Sequence, residues 1–318
     1  MADRGVRILR NFAHISDLHL GYTSGKKIDS ITKINLREQD GYQLFNECID
    51  EIINEGDIEF VICTGDFFHS PKPNMRAILE AQTALRKLAE HNIKFYCLAG
   101  NHDSTDTVKD IPANRVLHIP ELGIYSYSDP YKVIEINNIA LHLVSHHGYT
   151  LQHNTMEQIK LIENKINILC THGSCFDDNL GIILHSEAEP REIVIPQKIL
   201  DLDWNYILLG HIHERGWVGS TDGRTDTSGR KVFYGGSLLR RGFSDKECKL
   251  GRGWTKWSIN EKTKEFTPKF FTLNQRRQME IVINCLDKEV SDIENELQEI
   301  FTNLELDDFP ILRVILID

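Results

Sequence analysis

Five short apolar segments of this sequence each end in a polar cluster that contains Asp, Asn or His. The segments have the length and the Val, Ile, Leu and Phe content of buried β-strands. Parallel strands place the side chains that follow them at one edge of the sheet, where layered α/β folds bind their ligands. The clusters are S-D-L-H at 16–19, G-D-F-F-H at 65–69, G-N-H-D at 100–103, H-G at 172–173 and G-H-I-H at 210–213.

Helical patterns alternate with these strands, which predicts an α/β fold with a sheet layered against helices. Segments 36–54 and 74–91 carry apolar residues at helical spacing between the first three strands. Turns rich in Gly, Asp and Lys favour antiparallel pairing of the strands 232–234, 254–259 and 266–272. The other predicted strands cover 12–15, 60–64, 95–99, 139–145, 166–171 and 206–209.

A separate β-α-β unit is predicted for residues 279–318, with a hinge at 274–278 that closes a main domain of residues 1–275. The chain ends directly after an apolar strand, so we expect it to continue in a longer protein. The elements of the small unit are strand 279–285, acidic helix 288–304 and strand 310–317.

Seven side chains in the five clusters form a coherent set of oxygen and imidazole ligands that contains no thiolate. One ion rarely takes seven protein ligands, whereas two ions about 3.5–4 Å apart that share a carboxylate would use them all. Mixed carboxylate and imidazole donors suit manganese, iron or zinc better than calcium. The seven candidate ligands are Asp17, His19, Asp66, Asn101, His172, His211 and His213.

The ordered set of clusters resembles the sequence blocks of the calcineurin-like metallophosphoesterases, across residues 12–240. Within that superfamily, four features resemble the SbcD-type nucleases, which are nuclease subunits of DNA double-strand-break repair with Mre-type counterparts. The resemblance implies a β-sandwich flanked by helices, followed by the start of a capping domain. The four features are His69 after Gly-Asp, H-L-G-Y at 19–22, the helix start with Arg37 and Asp40, and Y-G-G-S at 234–237.

The resemblance also implies two metal sites, with manganese as the expected ion, that share the carboxylate of Asp66. Its implied ligand sets are Asp17, His19, Asp66 and His213 for one ion and Asp66, Asn101, His172 and His211 for the other.

Three further residues receive roles at the phosphate from the same resemblance. His102 is expected to stabilise the transition state or protonate the leaving oxygen, and Asp103 to orient His102 and raise its pKa. His69 is expected to assist at the phosphate or to position the DNA strand. The simpler alternatives are that Asp103 caps a helix that starts at Ser104 or Thr105, and that His69 is an exposed loop residue.

The formal net charge of −11 argues against nucleic acid until its distribution is considered. Residues 240–277 hold 11 Lys and Arg against 4 Asp and Glu, and they include Trp254 and Trp257. Basic residues interleaved with aromatic ones can contact phosphates and stack on bases, but the segment is equally typical of a hairpin with both tryptophans in the core. The candidate DNA contacts are Arg240, Arg241, Lys249 and Arg252.

The leading hypothesis is a manganese-dependent DNA exo- and endonuclease that acts in double-strand-break repair or end processing through a hydroxide shared by two ions. One alternative is another phosphoesterase that acts on nucleotides, cyclic nucleotides or phosphoproteins. Another is a non-catalytic scaffold of the same fold, although the retained ligands and His102 argue against it.

Partners and cellular location follow partly from the resemblance and partly from what the sequence lacks. The family implies a homodimer and an SMC-like ATPase partner of the SbcC/Rad type, bound through a C-terminal segment that these residues do not contain. We expect no membrane span and no secretory signal, and seven reduced cysteines. These features predict a cytoplasmic protein in a prokaryote or a nuclear one in a eukaryote.

Overall fold

The computed structural model describes residues 9–105, 110–150, 155–177, 181–182, 192–218, 231–243, 251–303 and 310–317. The strands are β1 (Leu9–Ile15), β2 (Phe60–Cys63), β3 (Lys94–Leu98), β4 (Ile124–Tyr127), β5 (Lys132–Ile136), β6 (Ile139–Val144), β7 (Ile166–His172), β8 (Phe176–Asp177), β9 (Gly181–Ile182), β10 (Tyr206–Gly210), β11 (Gly216–Trp217), β12 (Val232–Tyr234), β13 (Gly253–Asn260), β14 (Phe266–Thr272), β15 (Gln278–Asn284) and β16 (Ile311–Ile317). The helices are α1 (Leu36–Asn54), α2 (Met75–Glu90), α3 (His147–Thr150), α4 (Thr155–Gln158), α5 (Gln197–Leu200) and α6 (Val290–Asn303), with 3₁₀ turns at Ala113–Leu117 and Pro120–Leu122.

Two six-stranded mixed sheets form the main part of the fold. The first has the order β14-β13-β1-β2-β3-β4, and its strands β1, β2, β3 and β4 run parallel. The second has the order β11-β12-β10-β7-β6-β5, with β6, β7, β10 and β12 parallel. This architecture confirms the predicted α/β fold class, with a sandwich of two sheets and flanking helices.

The core of this part consists of three apolar layers. Phe45 of α1 packs with Val61 of β2 in the layer between the helices and the first sheet. Phe12 of β1 and Leu208 of β10 belong to the layer between the two sheets. Trp204 lies in the third layer, on the outer face of the second sheet. Alternate residues of a strand face opposite layers, which explains why the sandwiched strands are apolar on both faces.

Helix α1 begins and ends at the residues that the sequence predicts. The side chain of Asn35 accepts the backbone N–H of Arg37, and the side chain of Asn74 accepts that of Ala77 at the start of α2. These bonds satisfy backbone donors that a helix leaves unpaired in its first turn. Both helices therefore start where an Asn cap precedes the apolar spacing.

Strand β12 differs from its prediction as one of the late antiparallel strands. It lies in the second sheet rather than beside β13, and it pairs in parallel with β10 and antiparallel with β11. Strands β4 and β5 are absent from the sequence prediction. Both contain half-buried or exposed positions, such as Tyr125 and Glu135, so their apolar signal is weak.

Trp254 and Trp257 are both fully buried, on opposite faces of β13. Trp254 packs in the helix layer and Trp257 between the sheets. This placement confirms the core interpretation and excludes the two rings as a stacking platform for bases.

The chain divides into two compact units, of which the larger comprises residues 1–239 and 252–273. The smaller comprises residues 240–251 and 274–318, and in it β15 pairs in parallel with β16. None of the helices in the described part of the chain has the length and apolar character that a bilayer-spanning segment requires. The six cysteines described are unbridged, and five of them are buried.

Candidate metal centre

The five polar clusters converge at one end of the sandwich. The backbone N–H of Asp17 donates to the carbonyl of Gly65 at 3.1 Å, which joins the first two strand exits. Across the sandwich, Nδ1 of His172 donates to the carbonyl of Thr64 at 2.8 Å. Gly210 is the register partner of His172 and brings the last cluster beside it. The carboxyl ends of strands from both sheets thus supply one site.

Asp66 lies at the centre of this site and is almost fully buried. Its Oδ1 accepts the backbone N–H of His102 at 2.8 Å. Its Oδ2 lies 3.3 Å from Nε2 of His172 and 3.7 Å from Nε2 of His19. One oxygen therefore anchors a neighbouring loop, while the other lies between two imidazoles from opposite sheets.

Asp17 is the second buried carboxylate of the site. Its Oδ1 accepts the backbone N–H of His211 at 2.9 Å. Its Oδ2 is buried, and no donor in the described part of the chain hydrogen-bonds to it. A buried carboxylate oxygen without a donor is costly unless a cation neutralises it. This oxygen is the clearest sign that the residues present fit a metal ion.

Two groups of potential ligand atoms contain Asp17, with all atoms of each group within 4.8 Å of one another. The first group joins it to His19 and His213, whose Nε2 atoms are 3.0 Å apart. The second joins it to Asp66 and His172. Asn101 Oδ1 lies 2.9 Å from Nε2 of His172 and 3.3 Å from Nδ1 of His211. All seven predicted ligands therefore come together, but the two groups share Asp17, whereas the prediction has Asp66 as the shared carboxylate.

The backbone of this site is strained at four of the seven candidate ligands. They occupy the left-handed region of φ, which side-chain-bearing residues rarely adopt and which costs about 1–3 kcal/mol each. Such strain persists where the surrounding structure enforces it, and it clusters at functional sites. The four are Asp17 (φ 51°), His19 (φ 45°), Asp66 (φ 50°) and His211 (φ 98°).

Two glycines allow the loops to approach one another. A Cβ at Gly100 would lie 2.2 Å from Oδ1 of Asp66, and a Cβ at Gly210 would lie 2.2 Å from the carbonyl of Thr64. Neither position has room for a methyl group, since real Cβ contacts do not approach below 3.0 Å. The Gly in G-N-H-D and in G-H-I-H is therefore required by packing around the carboxylates.

Burial and neighbouring charges shift the pKa values of the ionisable groups in the site. Burial raises the pKa of Asp17 to about 6. Burial also opposes ionisation of Asp66, yet the positive charges of His172 and His102 hold its pKa well below the usual range. Burial disfavours the cationic form of His172, but Asp66 raises its pKa to about 10. The carboxylates thus require nearby positive charge, which a divalent cation supplies.

His102 is oriented differently from its prediction. Its Nδ1 donates to the backbone carbonyl of His69 at 2.8 Å. The carboxylate of Asp103 instead accepts three backbone N–H groups, from Phe67, Phe68 and Gly100, at 2.9–3.1 Å. Asp103 therefore joins two loops rather than orienting His102, and among the described residues no helix begins at Ser104 or Thr105. Burial and repulsion from Asp66 raise the pKa of Asp103 to about 7.

His69 is half-buried and belongs to the same cluster, so the structure does not support the alternative of an exposed loop residue. Its ring stacks on that of His102, with centroids 5.1 Å apart, and lies 5.5 Å from that of His19. Tyr22 contacts His69 edge to face at 5.0 Å. Tyr22 falls within the H-L-G-Y motif, but its contact with His69 was not predicted.

The predicted DNA contacts differ in burial where the structure describes them. Arg252 is only 2% exposed, and its guanidinium donates to the carbonyl of His213, so it cannot reach a DNA phosphate. Arg240 and Arg241 are half-buried residues of the smaller unit. Lys249 lies outside the described residues. The prediction for Arg252 is therefore wrong, because the side chain turns inward beside a candidate ligand.

Glu192 is a neighbour of the site that the sequence did not indicate. Its Oε1 accepts a hydrogen bond from Nε2 of His211 at 3.0 Å. A single carboxylate outside the five clusters has no sequence pattern that separates it from the other acidic residues of the chain.

A family model described as calcineurin-like phosphoesterase matches residues 10–224. The DNA double-strand break repair protein Mre11 of Sulfolobus acidocaldarius is 29% identical to the chain over 310 residues, which cover 95% of this chain and 73% of that protein. The Mre11 proteins of Sulfurisphaera tokodaii and Methanococcus maripaludis are 31% and 29% identical over 76% and 67% of the chain. The chain spans 58% and 54%, little more than half, of these two relatives.

Similarity to solved structures is more distant. A dimetal phosphatase from Danio rerio aligns with 78% of this chain and 92% of its own, at 11% identity and a TM-score of 0.44. A nuclease from Pseudomonas putida aligns with 77% of this chain and 82% of its own, at 13% identity and a TM-score of 0.34. These likenesses are too remote to inform the choice of substrate.

Proposed function

Because the chain belongs to the calcineurin-like phosphoesterase family, we propose that it is a metal-dependent DNA nuclease that uses two divalent cations. The observation that carries this proposal is the convergence of seven oxygen and nitrogen ligands, two of which are the buried carboxylates of Asp17 and Asp66. Similarity to proteins named for DNA double-strand break repair supports DNA as the substrate. We infer exo- and endonuclease activity in break repair or end processing.

Manganese is our proposed ion, because the donors are carboxylate, amide and imidazole groups without thiolate. Two bound divalent cations would supply a nucleophile at neutral pH and neutralise the charge of the reacting phosphate. The proposed ligand sets are Asp17, His19, Asp66 and His213 for one ion and Asp66, Asn101, His172 and His211 for the other.

The protein's own proton donor in this proposal is His102. Its Nδ1 is engaged by the carbonyl of His69, so the second proton of an imidazolium would sit on Nε2. From there it can be donated to the oxygen that leaves the phosphate. The ring of His69 stacks on the His102 imidazole, with an interplanar angle of 23°. We propose that His69 assists at the phosphate or positions the strand.

Contacts with DNA beyond the reacting phosphate are proposed for Arg240 and Arg241. Because the chain carries a net charge of −11, we expect its affinity for DNA to depend on the cations and on assembly. We propose a homodimer and an SMC-like ATPase partner of the SbcC/Rad type. The protein would act in the prokaryotic cytoplasm or the eukaryotic nucleus.

A substrate panel tests the proposal. The purified chain is incubated with Mn²⁺ and end-labelled single- and double-stranded DNA, a cyclic nucleotide or a small aryl phosphate, with EDTA as the control. We expect DNA to be digested only with metal present and more efficiently than either small ester. Rapid turnover of the cyclic nucleotide with intact DNA would contradict the proposed substrate. The absence of any turnover would favour the scaffold.

A further inference from the structure

We propose that Glu192 is a positioning residue that fixes the orientation of the His211 imidazole toward the metal centre. The two nitrogens of that ring have different neighbours. Nδ1 lies 3.3 Å from Oδ1 of Asn101, on the side of the candidate ligands, whereas Nε2 lies 3.0 Å from Oε1 of Glu192. The inference rests on the proposed function in taking His211 as a ligand.

The carboxylate selects the tautomer of the imidazole. A carboxylate oxygen only accepts hydrogen bonds, so Nε2 of His211 carries the proton in this contact. The lone pair of the ring then sits on Nδ1, which is the nitrogen nearest Asn101. A carboxylate behind a ligating histidine fixes its orientation and raises its basicity as a ligand. The His211 side chain is only 2% exposed and that of Glu192 is 30% exposed, so the imidazole end of this bond is shielded from solvent.

Glu192 is itself held in place. The hydroxyl of Ser174 donates to the same Oε1 at 2.5 Å. Ser174 follows the H-G cluster, and its backbone N–H donates to the carbonyl of Ile193 at 2.8 Å. Its own carbonyl accepts the N–H of Ile195 at 2.7 Å. The segment that carries Glu192 is thus bonded to the loop that follows the ligand His172.

The backbone at Gly173 lies close to the segment that carries Glu192. Gly173 precedes Ser174, and a Cβ there would lie 2.9 Å from the carbonyl of Ile193. A glycine at this position therefore lets the segment of Glu192 pack directly against the H-G loop. The described residues 192–195, from which the carboxylate reaches His211, contain none of the seven candidate ligands.

The test measures metal binding rather than turnover. Wild-type protein is titrated with Mn²⁺ while free Mn²⁺ is followed by electron paramagnetic resonance, alongside Glu192→Gln. The matched control is Glu163→Gln, which removes the same charge at an exposed loop position. We expect two ions in each protein, with one of the two Kd values raised about 10–100-fold in Glu192→Gln alone. The other Kd should stay within twofold of the wild type.

A second variant and a second signal separate positioning from a loss of folding. Ser174→Ala retains the carboxylate but loses one of its hydrogen bonds, so it should weaken the same ion to a smaller extent. With Co²⁺ bound, the visible ligand-field bands of one ion should shift in Glu192→Gln. The spectrum of Glu163→Gln should be the same as that of the wild type. If Glu192→Gln does not fold, the Mn²⁺ titration of Ser174→Ala decides: a raised Kd for one ion supports the inference, and two unchanged Kd values overturn it.

The outcomes distinguish this inference from the proposed function. Two unchanged Kd values and an unchanged Co²⁺ spectrum in Glu192→Gln would overturn the role of Glu192 and leave the two-cation nuclease standing. A wild-type protein that binds fewer than two ions would overturn both. Loss of both ions in Glu192→Gln, with folding intact, would assign Glu192 a wider role than orienting His211 and would overturn the inference.

Discussion

The backbone N–H of His102 donates to Oδ1 of Asp66 at 2.8 Å, so the proposed proton donor and the central carboxylate are joined through main chain. The ring of His102 is held separately, by the carbonyl of His69. Changing the side chain at 102 therefore leaves the bond to Asp66 in place. Metal binding and proton transfer should be separable at this residue.

The first prediction concerns the side chain of His102. His102→Asn should retain two bound Mn²⁺ ions and lose DNA hydrolysis by about 10²–10⁴-fold, the usual contribution of a general acid. Elemental analysis of the dialysed protein measures the metal, and digestion of end-labelled DNA measures the rate. Loss of the metal, or activity close to that of the wild type, would contradict the assigned role.

The second prediction concerns Asp103, whose carboxylate accepts three backbone N–H groups in a fully buried position. In Asp103→Asn the side-chain NH₂ group faces backbone N–H groups and cannot accept their hydrogen bonds. The free energy of unfolding should therefore fall by roughly 2–4 kcal/mol. Chemical denaturation in EDTA measures this loss. The matched control is Asp203→Asn at a 95% exposed side chain, where we expect a change of at most about 0.5 kcal/mol. Equal stability of the two variants would refute the structural role.

The third prediction tests the close approach at Gly100. A methyl group there would meet Oδ1 and the backbone nitrogen of Asp66 at 2.2 and 2.5 Å. Gly100→Ala should displace the carboxylate and weaken Mn²⁺ binding at least about tenfold, because overpacked sites shift rather than compress. The control is Gly41→Ala in helix α1, where the new Cβ would lie 3.8 Å from the side chain of Leu239. This variant should bind metal normally. Normal metal binding by Gly100→Ala would show that the contact is not restrictive.

The fourth prediction is a dependence of stability on pH. Burial lowers the pKa of His14 from 6.5 to about 3 in the folded protein. The folded state therefore favours neutral His14. The contribution of this neutral imidazole to the free energy of unfolding is fully present above pH 6.5 and is lost as the pH falls from 6.5 toward 3. Relative to His14→Gln, the wild type should lose about 2 kcal/mol of unfolding free energy between pH 7.5 and pH 5.

Denaturation curves of both proteins at the two pH values, in EDTA, check this difference. The exposed His91→Gln serves as the control and should follow the wild type at each pH. A constant difference between wild type and His14→Gln would contradict the effect of burial on His14.

Much of the site is predictable because its residues follow strands. The exits of β1, β2 and β3 hold Asp17, Asp66 and Asn101, and parallel pairing brings such exits together whatever the details of the loops. The two long helices are equally predictable, because apolar spacing and an Asn cap both act within a few residues. These signals are local, and the fold class follows from their order.

The residues that were mispredicted or missed depend on contacts between distant parts of the chain. Asp103 binds backbone groups of Phe67 and Phe68, and Arg252 turns inward to the carbonyl of His213. Glu192 meets His211 through a segment that carries no motif. An acidic or basic side chain has the same appearance in sequence whether it faces solvent or a buried amide. Only the packed structure separates these cases.

Asp66 is the central carboxylate of the proposed metal centre, and its Oδ2 lies between the imidazoles of His172 and His19. The direct measurement is digestion of end-labelled DNA with Mn²⁺ by the wild type and by Asp66→Ala at equal concentration. We expect the wild type to release labelled nucleotides and Asp66→Ala to release no more than the EDTA blank. Cleavage by Asp66→Ala at a rate near that of the wild type would contradict the shared-carboxylate metal centre.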